Sequence, residues 1–259
     1  MDYQTISSER KGAVGILSLN RPKVLNALSH EMQKELLHFI REASADDSLR
    51  VLILTGKGRA FSAGGDLNMF KEAYEAFQRD GSDSGLGGTA LPRAIIDFPK
   101  PLIAAINGPA FGFGLTVSLL CDIRIAAENA TFNCAFARIG VTPEFGSSFF
   151  LTHVVGYARA AELAFTAKDI DAREAYRIGL LNRVVPPGEL MAVSEAMANE
   201  IAALPHEAIM MAKRILRHGS QSTVEQSLPY EGLVFQYCTR TAEHYKTVCD
   251  TIARIKAAK

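Results

Sequence analysis

Short apolar runs that end in glycine or asparagine and pass into helical patterns constrain this chain most. "AVGILSLN" at 13–20 is a nearly unbroken apolar run ending at Asn-Arg-Pro, the pattern of a strand buried on both faces. "RVLILTG" at 50–56, "LIAAIN" at 102–107 and "DIRIAAE" at 122–128 repeat it. "TFNCAF" at 131–136 is a candidate fifth strand and "LNRVV" at 181–185 a late short one. Between them the spacing turns helical. Ser29 can cap a helix from 30 to about 43, with Met32, Leu36, Leu37 and Ile40 on one stripe. Asp66 can cap another over 67–77, and "GPAFGFG" at 108–114 turns into an apolar helix ending near Cys121. Strands alternating with helices require right-handed crossovers and a mostly parallel sheet, so the class is α/β.

Pro186-Pro187-Gly188 breaks the chain, and the remainder is helical: 189–203, 205–217 and two further segments. The expected organisation is a core over 1–187 and a C-terminal helical oligomerisation region over 188–259. With 259 residues, 48% of them hydrophobic, the chain can bury a sizeable core. The tract "RDGSDSGLGG" at 79–88 reads as a surface segment bordering a ligand or as a plain linker.

Composition excludes several function classes. Lys+Arg and Asp+Glu are equal at 28 each, which leaves no basic excess for nucleic acid. The four cysteines form no C-x-x-C pair and read as reduced core residues. The N-terminus lacks an apolar signal region, no stretch of 18 apolar residues occurs, and the C-terminus is not a peroxisomal S-K-L; a cytoplasmic protein off the membrane is expected. The zinc-protease H-E-x-x-H, the hydrolase G-x-S-x-G and the phosphate-binding P-loop are all absent. "GFGLTV" has Val117 where a dinucleotide fingerprint needs its third glycine. The histidines stand singly, so no metal is expected.

Two glycine-rich turns lie between a strand and a helix: "FSAGGDL" at 61–67 and "NGPAFGFGLT" at 107–116. Helix N-termini offer unpaired N–H groups and a positive dipole end, and two such ends aimed at one point make an oxyanion hole. Ordinary tight turns would look the same. A third segment, "GVTPEFGSS" at 140–148, carries one carboxylate, Glu144, amid apolar and small residues. It is either a solvated loop charge or an acid/base.

"LNRPKVLNAL" (19–28), "AFSAGGDL" (60–67), "KPLIAAINGPAFGFGLTVSLLCDIRIAAENATF" (100–132), "IGVTPEFGSS" (139–148) and "AFTAKDIDAREAYRIGLLNRVV" (164–185) together resemble the enoyl-CoA hydratase/isomerase, or crotonase, family. The resemblance spans nearly the whole chain. It implies a crotonase-like ββα spiral and a C-terminal helical trimerisation region, in homotrimers or dimers of trimers. It implies an acyl-CoA thioester as substrate, with coenzyme A part of that substrate and no separate cofactor or metal. By position, the oxyanion donors would be the backbone N–H groups of Gly65 and Phe113. Hydratases usually carry glycine at the second position, so the Phe113 ring must point away. Lys23, Leu25, Ala63, Asp66 and Gly112 would line the substrate site.

The same resemblance bears on the reaction. Hydratases use two glutamates, and this chain has Thr116 and Phe136 at those positions. Neither titrates usefully. Glu144 falls where Δ3,Δ2-enoyl-CoA isomerases carry their single acid/base. An apolar wall from Phe111, Phe145 and Phe149 would raise its pKa. The expected activity is isomerisation of a 3-enoyl-CoA. The alternatives are hydration or other crotonase chemistry at the same site, or a catalytically silent CoA-ester binder. Lys213, Arg214 and Arg217 read as a solvated basic face, or as partners for a CoA phosphate.

Overall fold

The first sheet of the computed structural model runs β1 (Ile6–Lys11), β2 (Val14–Leu19), β3 (Val51–Gly56), β4 (Leu102–Ile106), β6 (Ile123–Ala127), β9 (Arg183–Val185). From β2 to β9 every neighbouring pair is parallel; β1 alone is antiparallel. A smaller sheet contains β5 (Ala110–Phe111), β7 (Thr131–Asn133) and β8 (Ile170–Asp171). The structure describes residues 2–83 and 85–258, so Ser84 of the glycine-rich tract lies outside it.

The helices in chain order are α1 (His30–Ala45), α2 (Leu67–Asp80), α3 (Ala90–Ile96), α4 (Phe113–Leu120), α5 (Ser147–Val155) and α6 (Tyr157–Thr166). They continue with α7 (Ala172–Arg177), α8 (Leu190–Ala202), α9 (His206–Gly219), α10 (Val224–Thr239) and α11 (Ala242–Ala257). The expected caps are present: Ser29 accepts from Met32 N and Asp66 from Asn68 N. No helix among the described residues is long and apolar enough to cross a membrane.

Alternation along the strands sends side chains to two cores. Leu17, Leu52, Leu54, Leu102, Ala104 and Ile106 enter the main one, with Met32, Leu36 and Ile40 of α1. Val14, Ile16, Val51, Ile53, Ile103 and Ile125 face the other way, onto Leu190 and Ala198 of α8. Both faces are covered, which is why these strands read as unbroken apolar runs. The helix after Pro186-Pro187-Gly188 therefore still packs on the sheet. Only from α9 onward does the chain lack a fully buried apolar face: α9 and α11 bury no residue, and α10 buries only Ser227.

Several elements went unread in the sequence, the two-residue strand β8 among them. β1, "ISSERK", buries only Ile6 and has no apolar run to betray it. It is held from outside: buried Glu35 accepts from Gln4 N (2.7 Å), Thr5 N (2.9 Å) and Ile6 N (3.2 Å). α3 follows directly on the glycine tract, and β5 has only two residues.

Candidate active site

The first glycine turn is tied to the loop after β2. Asn26, fully buried, donates from Nδ2 to the carbonyls of Lys57 (2.9 Å), Ala60 (2.8 Å) and Phe61 (3.2 Å). Its Oδ1 accepts from Arg21 N at 2.9 Å, and its carbonyl accepts from Ser62 Oγ at 2.8 Å. Backbone pairing continues the seam: Ala63 N to Leu25 O, Leu28 N to Gly64 O, and Asp66 N to Leu28 O. Asp66 also caps α2 and receives Arg21 Nη2 at 3.0 Å. Lys23, Leu25, Ala63 and Asp66 thus share one edge, with Lys23 exposed and Leu25 in the left-handed region at φ +53°.

The second turn meets the first at Gly112, where φ is +47°. A Cβ there would stand 3.5 Å from the Gly64 Cα, and one on Gly114 would stand 2.5 Å from the Ser62 carbonyl oxygen. Only glycine permits that approach at Gly114. Phe111 N donates to Ser62 O at 2.9 Å, and Gly112 N to Asn133 O at 3.0 Å. Among the described residues, neither the Gly65 N–H nor the Phe113 N–H has a protein acceptor. Phe113 opens α4, so its N–H belongs to the unpaired first turn and sits at the positive end of the helix. Two free donors on turns in contact can stabilise one developing oxyanion.

Glu144 stands at the third segment, before α5. It is half-buried, and burial alone pushes its carboxyl above the ordinary carboxylate value of 4.5. Among the described residues its side chain has no hydrogen-bond or ion-pair partner. Its carbonyl accepts from Ser147 N at 3.0 Å. The next residues turn sharply: Phe145 at φ +59° and Gly146 at φ +72°, the latter capping α5. A bulky residue in that region is strained and persists only where packing demands it. The packing here is Phe113, whose ring meets the Phe145 ring edge-on at 5.2 Å between centroids. The donor turn and the carboxylate turn are thereby joined.

The family profile described as enoyl-CoA hydratase/isomerase matches residues 9–251. The chain belongs to the enoyl-CoA hydratase/isomerase family. A short-chain-enoyl-CoA hydratase of Clostridium acetobutylicum is 37% identical over 244 residues, covering 94% of this chain and 92% of its own. The crystal structure of an enoyl-CoA hydratase from Bacillus anthracis superposes with a TM-score of 0.90 at 31% identity, covering 97% of each chain. A monofunctional enoyl-CoA isomerase from M. smegmatis gives 0.73 at 33% identity, covering 86% of this chain and 98% of that one. The crotonase fold is shared with these structures.

Within the family frame, two further positions differ from an open acid/base pair. Thr116 is fully buried in α4, and its hydroxyl donates to Phe113 O at 3.3 Å. Phe136 is buried in the 3-10 turn Ala135–Ile139. The Phe113 side chain is buried in the core. Of the expected apolar wall, Phe145 is buried; Phe149 is partly exposed and stacks on His153 at 3.9 Å. The Phe70 ring of α2 overlies Gly65, within 2.5 Å of where a Cβ would stand. Phe77, on the same helix, is 60% exposed.

A groove of about 610 Å³ between α3 and α9 has none of these residues in its lining. Among the described residues no three His, Cys, Asp or Glu side chains gather to hold a metal ion. Asn26, Arg21 and Asn133 escaped sequence reading: each acts through partners distant in the chain, backbone carbonyls for Asn26 and Asn133 and the Asp66 carboxylate for Arg21.

Proposed function

We propose that this family member is an enoyl-CoA isomerase that moves a double bond from the 3- to the 2-position of an acyl-CoA thioester. Glu144 takes a proton from C2. The electron pair passes into the dienolate, whose oxygen lies between the N–H groups of Gly65 and Phe113. Glu144 then returns the proton at C4, and the electrons settle as the 2,3 double bond. Nothing is oxidised, and no group beyond the CoA of the substrate takes part. Each oxyanion donor contributes on the order of 3 kcal/mol in sites of this kind.

The observation that carries this reading is a single desolvated, unpartnered carboxylate in a chain whose Thr116 and Phe136, both buried, supply no second acid. A base that must also act as an acid works best with a pKa raised toward neutrality, and burial moves Glu144 that way. Hydration is the second reading, favoured by relatives named hydratases. Purified protein given 3-enoyl and 2-enoyl thioesters separates the two. Fast conversion of the 3-enoyl ester with little water addition to crotonyl-CoA supports isomerisation; strong hydration overturns it.

For the assembly we propose a homotrimer or dimer of trimers built on the C-terminal helices. Leu228, Leu233 and Phe235 of α10 and Ile252 and Ile255 of α11 are all exposed in the single chain. Apolar surface on this scale belongs at an interface.

A further inference from the structure

α4 carries the Phe113 N–H at one end, and its other end is held by two guanidinium groups. Arg124, buried in β6, donates from Nη1 to Cys121 O (2.8 Å) and Ser118 O (3.4 Å) and from Nε to Leu180 O (2.7 Å). Arg217 reaches in from α9. Its Nη2 donates to Leu120 O at 3.0 Å and to Asp122 Oδ1 at 3.0 Å, and its Nη1 donates to Ile96 O. Ser118, Leu120 and Cys121 are the last turn and C-cap of α4; the Ser118 carbonyl also accepts from the Cys121 N–H at 3.2 Å, and the last carbonyls of a helix lie beyond its own hydrogen-bond ladder. A cation there complements the negative end of the helix dipole.

Three features make this arrangement consequential. Every residue of α4 is buried, so little solvent screens one end of the helix from the other. The helix is short, about 12 Å at 1.5 Å per residue. And α9 buries no side chain fully, so polar contacts decide where Arg217 sits. Asp122 Oδ2 accepts from Leu102 N at 2.8 Å and pairs with Lys213 Nζ at 2.7 Å, and Lys213 also donates to Lys100 O at 2.8 Å. The basic face expected to be solvated is therefore largely a docking surface: Lys213 and Arg217 point into the core, and only Arg214 is exposed.

We propose that Arg217 is a positioning residue for the oxyanion hole, delivered by the C-terminal helical region. Docking of α9 seats its guanidinium on the last carbonyls of α4, which fixes and polarises the helix whose first N–H meets the thioester oxygen. This inference rests on the proposed enolate chemistry.

The test uses the full-length protein with Arg217→Met and Arg217→Lys, each read against two probes. Butanoyl-CoA cannot place an enolate in the hole; acetoacetyl-CoA can, and its enolate is followed by ultraviolet absorbance. Arg217→Met is expected to bind butanoyl-CoA within about twofold of wild type, yet to lose about tenfold in acetoacetyl-CoA affinity and in kcat on a 3-enoyl ester. Arg217→Lys keeps the charge and is expected to recover about threefold of that loss. Equal losses on both probes, or an unchanged kcat, overturn the proposal and leave a purely structural anchor. Should Arg217→Met not fold, Arg217→Lys decides alone: wild-type kcat and enolate affinity overturn it. Wild-type protein that turns over 3-enoyl esters without any difference between probes in the variants sinks this inference only. Wild-type protein that neither isomerises nor ionises acetoacetyl-CoA sinks the functional reading and this inference with it.

Discussion

Phe113 and Phe145 meet edge-to-face, their ring planes 83° apart and their centroids 5.2 Å apart. One is the residue whose N–H is proposed to hold the oxyanion; the other comes directly after the proposed base. The contact joins α4 to the turn before α5 and explains how Phe145 is kept in the left-handed region at φ +59°. A phenylalanine in place of the usual second oxyanion glycine thus has its side chain engaged as the link between donor and base.

That link can be cut. Phe145→Ala removes a buried ring and its aromatic partner, at a cost of about 3–5 kcal/mol in stability. It also opens Glu144 to water. Denaturant unfolding should show the loss, and the acid limb of the pH–rate profile should move to lower pH as the carboxyl returns toward its ordinary value. An unmoved acid limb would mean that Phe145 does not desolvate Glu144.

Glu144→Gln keeps the shape of the side chain and removes its proton chemistry. Conversion of 3-enoyl to 2-enoyl esters should fall by about 10²–10⁴-fold, while CoA-ester binding, measured by calorimetry, stays close to wild type. Retention of most of the turnover would place the base elsewhere.

The pKa of Glu144 also sets a stability signature. Burial raises its folded value above the ordinary 4.5, so the native state favours the protonated form. Its stabilising contribution is fully present below 4.5 and is lost as pH rises through the folded value. Above the raised folded value the ionised carboxylate is therefore a net penalty, and Glu144→Gln should melt above wild type there; below 4.5 the two should converge. Activity runs the opposite way, since the first step needs the ionised base: wild-type turnover should rise with pH through the same raised value. A melting difference that does not depend on pH would contradict the desolvated carboxylate.

The parallel sheet was legible because strands covered on both faces leave runs such as "VLILTG", and glycine marked where each stopped. The two donor turns were legible for the same reason. Glu144 could be seen as a lone acid, and the phenylalanines near it in sequence already suggested the burial that raises its carboxyl; the contact of Phe145 with Phe113 could not be seen, because the two lie some thirty positions apart in the chain. Edge strand β1 was invisible, since the carboxylate that anchors it, Glu35, reads as part of the polar face of α1. Lys213 and Arg217 look like surface charge in any helical projection. Their partners, Asp122 and the carbonyls of Lys100 and Leu120, are far away in sequence.

The exposed apolar faces of α10 and α11 make a prediction about assembly. Phe235→Glu places a charge where 71% of the residue's surface is open in the single chain. If that face is the subunit contact, burying an unpaired charge there should shift the mass in solution from trimer or hexamer toward monomer, read by light scattering. A wild type that is monomeric, or a variant of unchanged mass, would show that these helices do not hold the assembly.

Asn26 makes the most exposed prediction for the site's framework. Its amide serves three carbonyls that otherwise lie buried, and asparagine tolerates its φ of +57° better than most residues. Asn26→Ala leaves the Lys57 and Phe61 carbonyls short of a donor, while Ala60 O keeps Asn107 Nδ2 at 3.3 Å; at about 1–3 kcal/mol each, a total near 3 kcal/mol is expected. The same change frees the loop carrying Lys23 and Leu25 from the turn carrying Ala63 and Gly65. The expected result is a lowered denaturation midpoint together with a KM for the CoA ester raised by about tenfold, a loss of roughly 1.4 kcal/mol in binding. Asn26→Asp tests the direction of the hydrogen bonds: a carboxylate of the same shape accepts where the amide donates, so it should be no better tolerated than alanine. If Asn26→Asp matches wild type in both stability and KM, the amide is not what holds the two segments together.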